Sequence, residues 1–226
     1  MWACLPLLGQ GDEPRLRAVD AFRHPWPSYQ VEVSIASKGQ SQRWKVTSAE
    51  NRDVRVEGLS PREKGRTVLL LGESMWLLLP NTKHPVRVTP QQRLLGPAAG
   101  GDLARSAFAE EYLVTDQKED HLDGRPCTRL EMTARKPSHS YRTAKLWVMA
   151  ASSQPLKAEF RLASGKLART LVFGPLQTTK GMKVLSGMAI EEPNGSRSEL
   201  TFEGWAPAHP APDLFRLPGS ATKPLD

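Results

Sequence analysis

The sequence predicts a mainly β fold of antiparallel strands enclosing an apolar interior. Three observations predict it. Short runs alternate apolar and polar residues, glycine-containing turn dipeptides fall in the gaps between them, and no strand–helix–strand rhythm signals a parallel sheet. Residues 29–35 (YQVEVSI) show the pattern most cleanly, with Val31, Val33 and Ile35 on one face and Gln30, Glu32 and Ser34 on the other. Such a period of two is what a strand with one buried and one wet face requires.

Along the chain, residues 12–23 come first and read as a short helix. Leu16, Val19 and Phe22 share a face, Asp12 stands as N-cap before Pro14, and His24-Pro-Trp-Pro27 stops the helix, because proline lacks the N–H that the helical ladder needs. Alternation then resumes over 41–47, with Trp44 and Val46 opposite Arg43 and Lys45, and over 52–57. The runs 67–71 and 75–79 are apolar on both faces and are joined by Gly72-Glu73-Ser74, so they form a hairpin with one side on the core and the other on a second buried surface or a ligand. Residues 86–88 make a short return strand. The segment 96–101 (GPAAGG) is a loop, and Asp102 caps a second short helix reaching Glu111, with Leu103, Ala107 and Phe108 as its apolar residues. Further strands follow at 112–114, 118–122, 127–134, 144–150, 156–162, 167–173, 182–191 and 198–202, with Asp123-Gly124, Ser164-Gly165 and Asn194-Gly195 as turns. These fourteen runs, some of them short, are expected to give about eleven or twelve strands, with two helices.

Length and composition fit this plan. A chain of 226 residues with 39% hydrophobic and 24% charged residues can build one large β domain or two small ones. The organisation expected is a signal-peptide remnant at 1–11, a β domain at 12–206 and a Pro/Ala-rich tail at 207–226, with Phe215 anchoring the tail. The net charge of +7 does not imply nucleic-acid binding, because basic and acidic residues interleave, as in Arg62-Glu63-Lys64 and Lys118-Glu119-Asp120, instead of forming a stripe. It does favour approach to anionic lipid headgroups, an effect that salt screens. No stretch approaches the 18 apolar residues of a spanning helix. Two readings of the N-terminus stay open: residues 1–9 as the remnant of a signal that starts upstream, and Cys4 as a lipoprotein-type anchoring cysteine.

Motifs for chemistry are weak. Gly72-Glu-Ser-Met-Trp76 starts like a nucleophile elbow around Ser74, but Trp76 stands where the second glycine belongs, and strands flank it on both sides. The five histidines are scattered, Cys4 and Cys127 form no CxxC pair, and neither GxGxxG nor a P-loop occurs. A disulfide between the two cysteines stays open beside the reading of Cys127 as a small buried hydrophobe. The strand-borne aromatics Trp44, Trp76, Trp147, Phe160 and Phe173 serve either as core or as the wall of a cavity for a greasy ligand.

The order of landmarks resembles the LolA-like outer-membrane lipoprotein-sorting proteins over about 14–216. The stretches that carry it are Met75-Trp-Leu-Leu-Leu-Pro80, Arg87-Val88, the Gly-rich loop, Asp102-Leu103 and Glu110-Glu111-Tyr112. Leu122-Asp-Gly124, Cys127-Thr-Arg-Leu-Glu131, Lys145-Leu-Trp-Val148, Leu156-Lys157 and Gly165-Lys166 follow in sequence. The resemblance implies a curved, incomplete antiparallel β-barrel of about eleven strands closed by short α-helices, LolA/LolB-like. It implies a non-enzymatic periplasmic carrier that shields lipoprotein acyl chains or lipid in an apolar cavity on the way to the outer membrane. No cofactor or metal is implied, and the partners are a lipid or lipoprotein cargo and an inner- or outer-membrane transport component. Wall candidates are Val33, Trp44, Trp76, Leu78, Met132, Trp147 and Phe160, and lid candidates are Leu16, Val19, Leu103 and Phe108. The competing readings are a non-catalytic envelope sensor or interaction domain of the same fold and, less well supported, a serine hydrolase using Ser74.

Overall fold

A computed structural model of the chain describes residues 13–82, 84–88 and 107–218. The fold is mainly β. Helix α1 (Glu13–Ala21) is followed by β1 (Tyr29–Ser37), β2 (Gln40–Ala49), β3 (Asp53–Gly58), β4 (Thr67–Leu71), β5 (Ser74–Leu78) and β6 (Val86–Val88). After the short helix α2 (Phe108–Glu111) come β7 (Tyr112–Leu122), β8 (Arg125–Ala134), β9 (Thr143–Met149), β10 (Pro155–Arg161) and β11 (Leu167–Phe173). Strands β12 (Leu176–Thr179), β13 (Met182–Leu185), β14 (Gly187–Glu191) and β15 (Arg197–Pro207) complete the set, and a 3-10 turn spans Pro212–Phe215. Thirteen strands pair in the order β6-β5-β4-β3-β2-β1-β15-β14-β11-β10-β9-β8-β7, while β12 and β13 form a separate two-stranded sheet. The order begins at β6 and ends at β7, so the large sheet is not closed.

The strand runs expected from alternation are present, with two informative differences. Residues 112–122 form one strand instead of two, because a bulge between Val114 and Asp116 absorbs Thr115 and restores the pairing with β8. Residues 182–191 form two strands instead of one. They part at Ser186, whose N–H and hydroxyl both donate to the Pro175 carbonyl, and β13 turns to pair with β12. Strand β12 (LQTT) escapes pattern reading because it holds a single apolar residue. The turn dipeptides behave as their chemistry demands: Asp123 and Gly124 both adopt positive φ (51° and 74°), as the two-residue β7–β8 hairpin requires.

The chain divides into two compact units. Unit 1 contains the described residues 13–25, 37–39 and 107–201; unit 2 contains 26–36, 40–82, 84–88 and 202–218.

In unit 1 the core lies on the face of β7–β11 and β14 that carries Val114, Leu130, Met132, Leu146, Phe160, Leu171 and Ile190, all buried. The two helices pack into the same core. Leu16 and Val19 of α1 are buried, and Phe108 of α2 stacks on Phe160, with ring centroids 6.1 Å apart. Asp20 ties the helices together by accepting hydrogen bonds from the Phe108 N–H (2.8 Å) and the Ala109 N–H (2.9 Å). Burial pushes its carboxyl up to about 6, against the opposing pull of those two N–H groups and of Arg23.

In unit 2, Tyr29, Val31 and Val33 share the buried face of β1. The loop after β3 folds back over Gly58, where a Cβ would lie only 2.1 Å from the Glu63 carbonyl oxygen. Only glycine permits that approach. Gly58→Ala is therefore expected to push the 59–66 loop away and to cost about 1–3 kcal/mol, read as a lowered urea midpoint at unchanged m-value. A loss below about 0.5 kcal/mol would show that the loop is not held there. The 3-10 turn packs beside β3: Arg55 donates to the Leu214 carbonyl at 3.0 Å, and Phe215 is buried, as expected of an anchor.

Candidate functional site

The registers of β2–β6 define one continuous face, because residues directly opposite in an antiparallel pair point to the same side. Ser48 opposes Val54, Val54 opposes Leu70, Leu70 opposes Met75, and Met75 opposes Val88. A second row, two residues further along each strand, runs Val46, Val56, Val68, Leu77 and Val86. A third begins with Trp44 opposite Gly58. The rows are apolar except for the Ser48 hydroxyl and the Trp44 indole N–H, and Gln40 and Gln42 extend the same face of β2 with amides.

Exposure is graded across these rows. In the first row, Ser48, Val54, Leu70 and Met75 are buried. In the second, Val46 is buried, Val56, Val68 and Leu77 are half-buried, and Val86 is 48% exposed. The second row is thus a line of aliphatic side chains that becomes more covered from β6 toward β2. At its covered end, Val46 is flanked along β2 by Trp44 (6% exposed) and Ser48 (1% exposed). Neither Trp44 Nε1 nor Ser48 Oγ has a hydrogen-bond partner among the described residues.

The opposite face of the same strands is chemically different. Trp76 pairs with Arg87, whose guanidinium lies 5.8 Å from the indole ring and donates to the Ser74 hydroxyl at 3.3 Å. A guanidinium cannot take a proton from Ser74, so this contact does not activate it as a nucleophile. Arg55 bonds Glu57 at 2.9 Å on this face, and Leu69 is fully buried there.

The structure distributes the residues singled out from sequence over several environments. Trp44 lies on the face of the aliphatic rows, while Trp76 and Leu78 lie on the face opposite Leu77, since neighbours along a strand alternate. Val33 is buried on β1. Met132 and Phe160 are buried in the unit 1 core, where Phe160 meets Phe108, Tyr112 and Tyr141. Leu16, Val19 and Phe108 are buried in unit 1, and Leu103 lies outside the described residues.

Trp147 points away from the Leu146 face. Its Nε1 donates to Asp120 at 3.0 Å, and the Lys157 ammonium sits 5.0 Å over its ring. The Asp120 carboxyl is held below its usual range by the His121 N–H first, then by Trp147 and Arg129. Cys127, a free thiol, is buried beside Trp147 and Leu156, and burial, with the neighbouring Asp120 charge, raises its pKa. The residues that sequence reasoning missed are Ser48, Val56, Val68, Leu77 and Val86. Each sits in a run whose alternation was visible or doubly apolar, but only the register assembles them into a row. Among the described residues, no group of three or more His, Cys, Asp or Glu gathers as a metal site, and no helix is long and apolar enough to cross a membrane.

Comparison with known proteins agrees with this architecture. The chain is similar to a LolA superfamily protein from Nitrosomonas europaea, with 28% identity, 90% of this chain and 96% of that one covered, and a TM-score of 0.78. A DUF1329 family protein from Desulfovibrio piger aligns at 17% identity over 92% and 97% of the two chains, with a TM-score of 0.75. An outer membrane lipoprotein-sorting protein domain from Vibrio parahaemolyticus aligns at 20% identity over 89% and 95%, with a TM-score of 0.70. The last two likenesses concern the fold. No curated protein matches the chain. A family model described as an uncharacterized protein matches residues 34–215. The chain belongs to that family, and its fold is LolA-like.

Proposed function

We propose that this protein binds the acyl chains of a lipid or lipoprotein on the apolar face of β2–β6 and shields them during transfer through the periplasm toward the outer membrane. The observation that carries the reading is the row Val46, Val56, Val68, Leu77 and Val86, a graded aliphatic line on a face that offers no charge. Burial of a chain there needs no cofactor and no chemistry. Each methylene removed from water contributes about 0.8 kcal/mol, so one long chain supplies a large driving force. The lipoprotein-sorting description of a structural neighbour points the same way.

The two faces of β5 supply the test. A fluorescent fatty-acid probe binds the wild type saturably. Leu77→Glu places a carboxylate in the row and weakens binding more than tenfold, since it removes about 2 kcal/mol of apolar burial and adds a charge that must be desolvated. Trp76→Glu, on the opposite face, weakens it much less. No saturable binding by the folded wild type would defeat the reading, and equal loss in both variants would misplace the site.

A further inference from the structure

We infer that the loop between β3 and β4, residues 59–66, docks this protein on anionic lipid headgroups, with Arg43, Arg62 and Lys64 meeting the phosphates and Leu59 entering the acyl boundary. The inference goes beyond the acyl-binding reading and stands without it, because the surface concerned lies outside the aliphatic rows.

Leu59, 36% exposed, is one of three large apolar side chains that stand out in solvent among the described residues. Cations accompany it. Arg62, Lys64 and Arg66 follow within the loop, and Arg43 lies beside it on β2, all of them exposed. The Leu59 N–H donates to the Arg43 carbonyl at 2.8 Å, and the Arg43 N–H donates to the Ser60 hydroxyl at 2.6 Å. The one carboxylate of the loop is turned inward: Glu63 is 5% exposed and accepts a hydrogen bond from Arg66 at 2.7 Å. Glu57, just before the loop, is bonded to Arg55 at 2.9 Å. Among the described residues no carboxylate pairs with Arg43, Arg62 or Lys64. The loop is also held in place. The Gly58 N–H donates to the Arg66 carbonyl at 3.0 Å, the Ser60 carbonyl accepts the N–H groups of Glu63 and Lys64 at 2.9 Å, and Gly65 sits against Pro80. Docking therefore orders little that is not ordered already. Gly58 opposes Trp44, and a Cβ there would meet the Glu63 carbonyl, so the loop crosses on the side of the sheet that carries the aliphatic rows. One leucine among long cationic side chains is a poor core for a protein interface, where aromatic anchors fill pockets and charges are depleted. It suits a headgroup layer, where each nearby Lys or Arg strengthens binding about fivefold and an inserted leucine adds apolar burial.

The experiment is sedimentation of the full chain with vesicles of phosphatidylglycerol and phosphatidylcholine in equal parts, and with vesicles of phosphatidylcholine alone. The wild type is expected to bind the anionic vesicles about tenfold more tightly, and added salt to weaken that binding. Arg62→Glu combined with Lys64→Glu lowers binding to the anionic vesicles by about tenfold or more, and Leu59→Asn lowers it about fivefold. The control is Lys180→Glu combined with Lys183→Glu, which reverses two exposed cations on the β12–β13 hairpin and changes the net charge equally. It should alter vesicle binding by less than about twofold, since the attraction is strongest for charges at the surface itself. Every variant should keep the affinity of the wild type for the fluorescent fatty-acid probe, because none of these side chains belongs to the rows. No preference for anionic vesicles by the wild type, or equal losses in the loop and hairpin variants, would overturn the inference and leave the acyl-binding reading intact. Vesicle docking by a protein that binds no probe would remove that reading and leave this one. Displacement from the vesicles by polyglutamate at matched charge concentration would assign the loop to an acidic protein and overturn the lipid assignment.

Discussion

Phe160→Ala is expected to lower the free energy of unfolding by about 3–5 kcal/mol, the usual cost of emptying a large aromatic site in a core. The ring is almost fully buried and stacks within 9° of parallel on Phe108, with Tyr112 and Tyr141 at 6.3 and 5.2 Å. Its neighbours come from α2, from β7 and from the approach to β9, so no single element can collapse into the vacancy. Because Phe108 loses its stacking partner, α2 should lose protection in hydrogen exchange beyond what global destabilisation explains. Urea denaturation of the purified variant measures the first effect. A change below about 1 kcal/mol would mean that this cluster does not hold the helices on the sheet.

The second large effect belongs to Asp20 and depends on pH. In the folded protein burial raises its carboxyl from 3.8 to about 6, while the N–H groups of Phe108 and Ala109 and the charge of Arg23 act to lower it and Glu111 adds to the rise. Between about pH 4 and 6 the folded state thus holds a proton that the unfolded chain releases. The stability contributed is fully present below about 4 and is lost as pH rises through about 6, on the order of 3 kcal/mol for a shift of that size. Asp20→Asn removes the titration, so the difference in stability between variant and wild type should move in favour of the variant by that amount from pH 4 to pH 7. Asp20→Ala removes both acceptor oxygens, where Asn keeps one for the N–H groups of Phe108 and Ala109, which should cost a further 1–3 kcal/mol relative to Asn at any pH. A variant–wild-type difference that stays flat from pH 4 to pH 7 would contradict the assignment.

Much of the architecture was legible before the coordinates. The alternation in 29–35, 41–47 and 52–57 placed Val31, Val33, Ile35, Trp44, Val46, Val54 and Val56 on inward faces; all are buried except Ile35 and Val56, which are half-buried. The hairpin read at 67–79 was legible from its glycine turn, and its doubly apolar character reflects two buried surfaces: Leu70 and Met75 on one face, Leu69 on the other. The hidden parts were local exceptions to periodicity. Thr115 vanished into a bulge, and β12 carried too few apolar residues to announce a strand.

The chain's own pattern thus determined that this is a β protein and which side chains of each strand share a face, because the period of two is a property of the extended backbone and needs no partner. Which of those side chains stand in one row, and which donors are left unpaired, was decided only in the folded molecule. Register joins residues far apart in sequence: four separate pairings place Val46, Val56, Val68, Leu77 and Val86 in one row. Nothing near Trp44 or Trp147 in the sequence says that the Trp147 indole N–H will meet a carboxylate while that of Trp44 meets no partner among the described residues. That difference arises because hydrogen bonding depends on neighbours brought within about 3 Å by strand pairing.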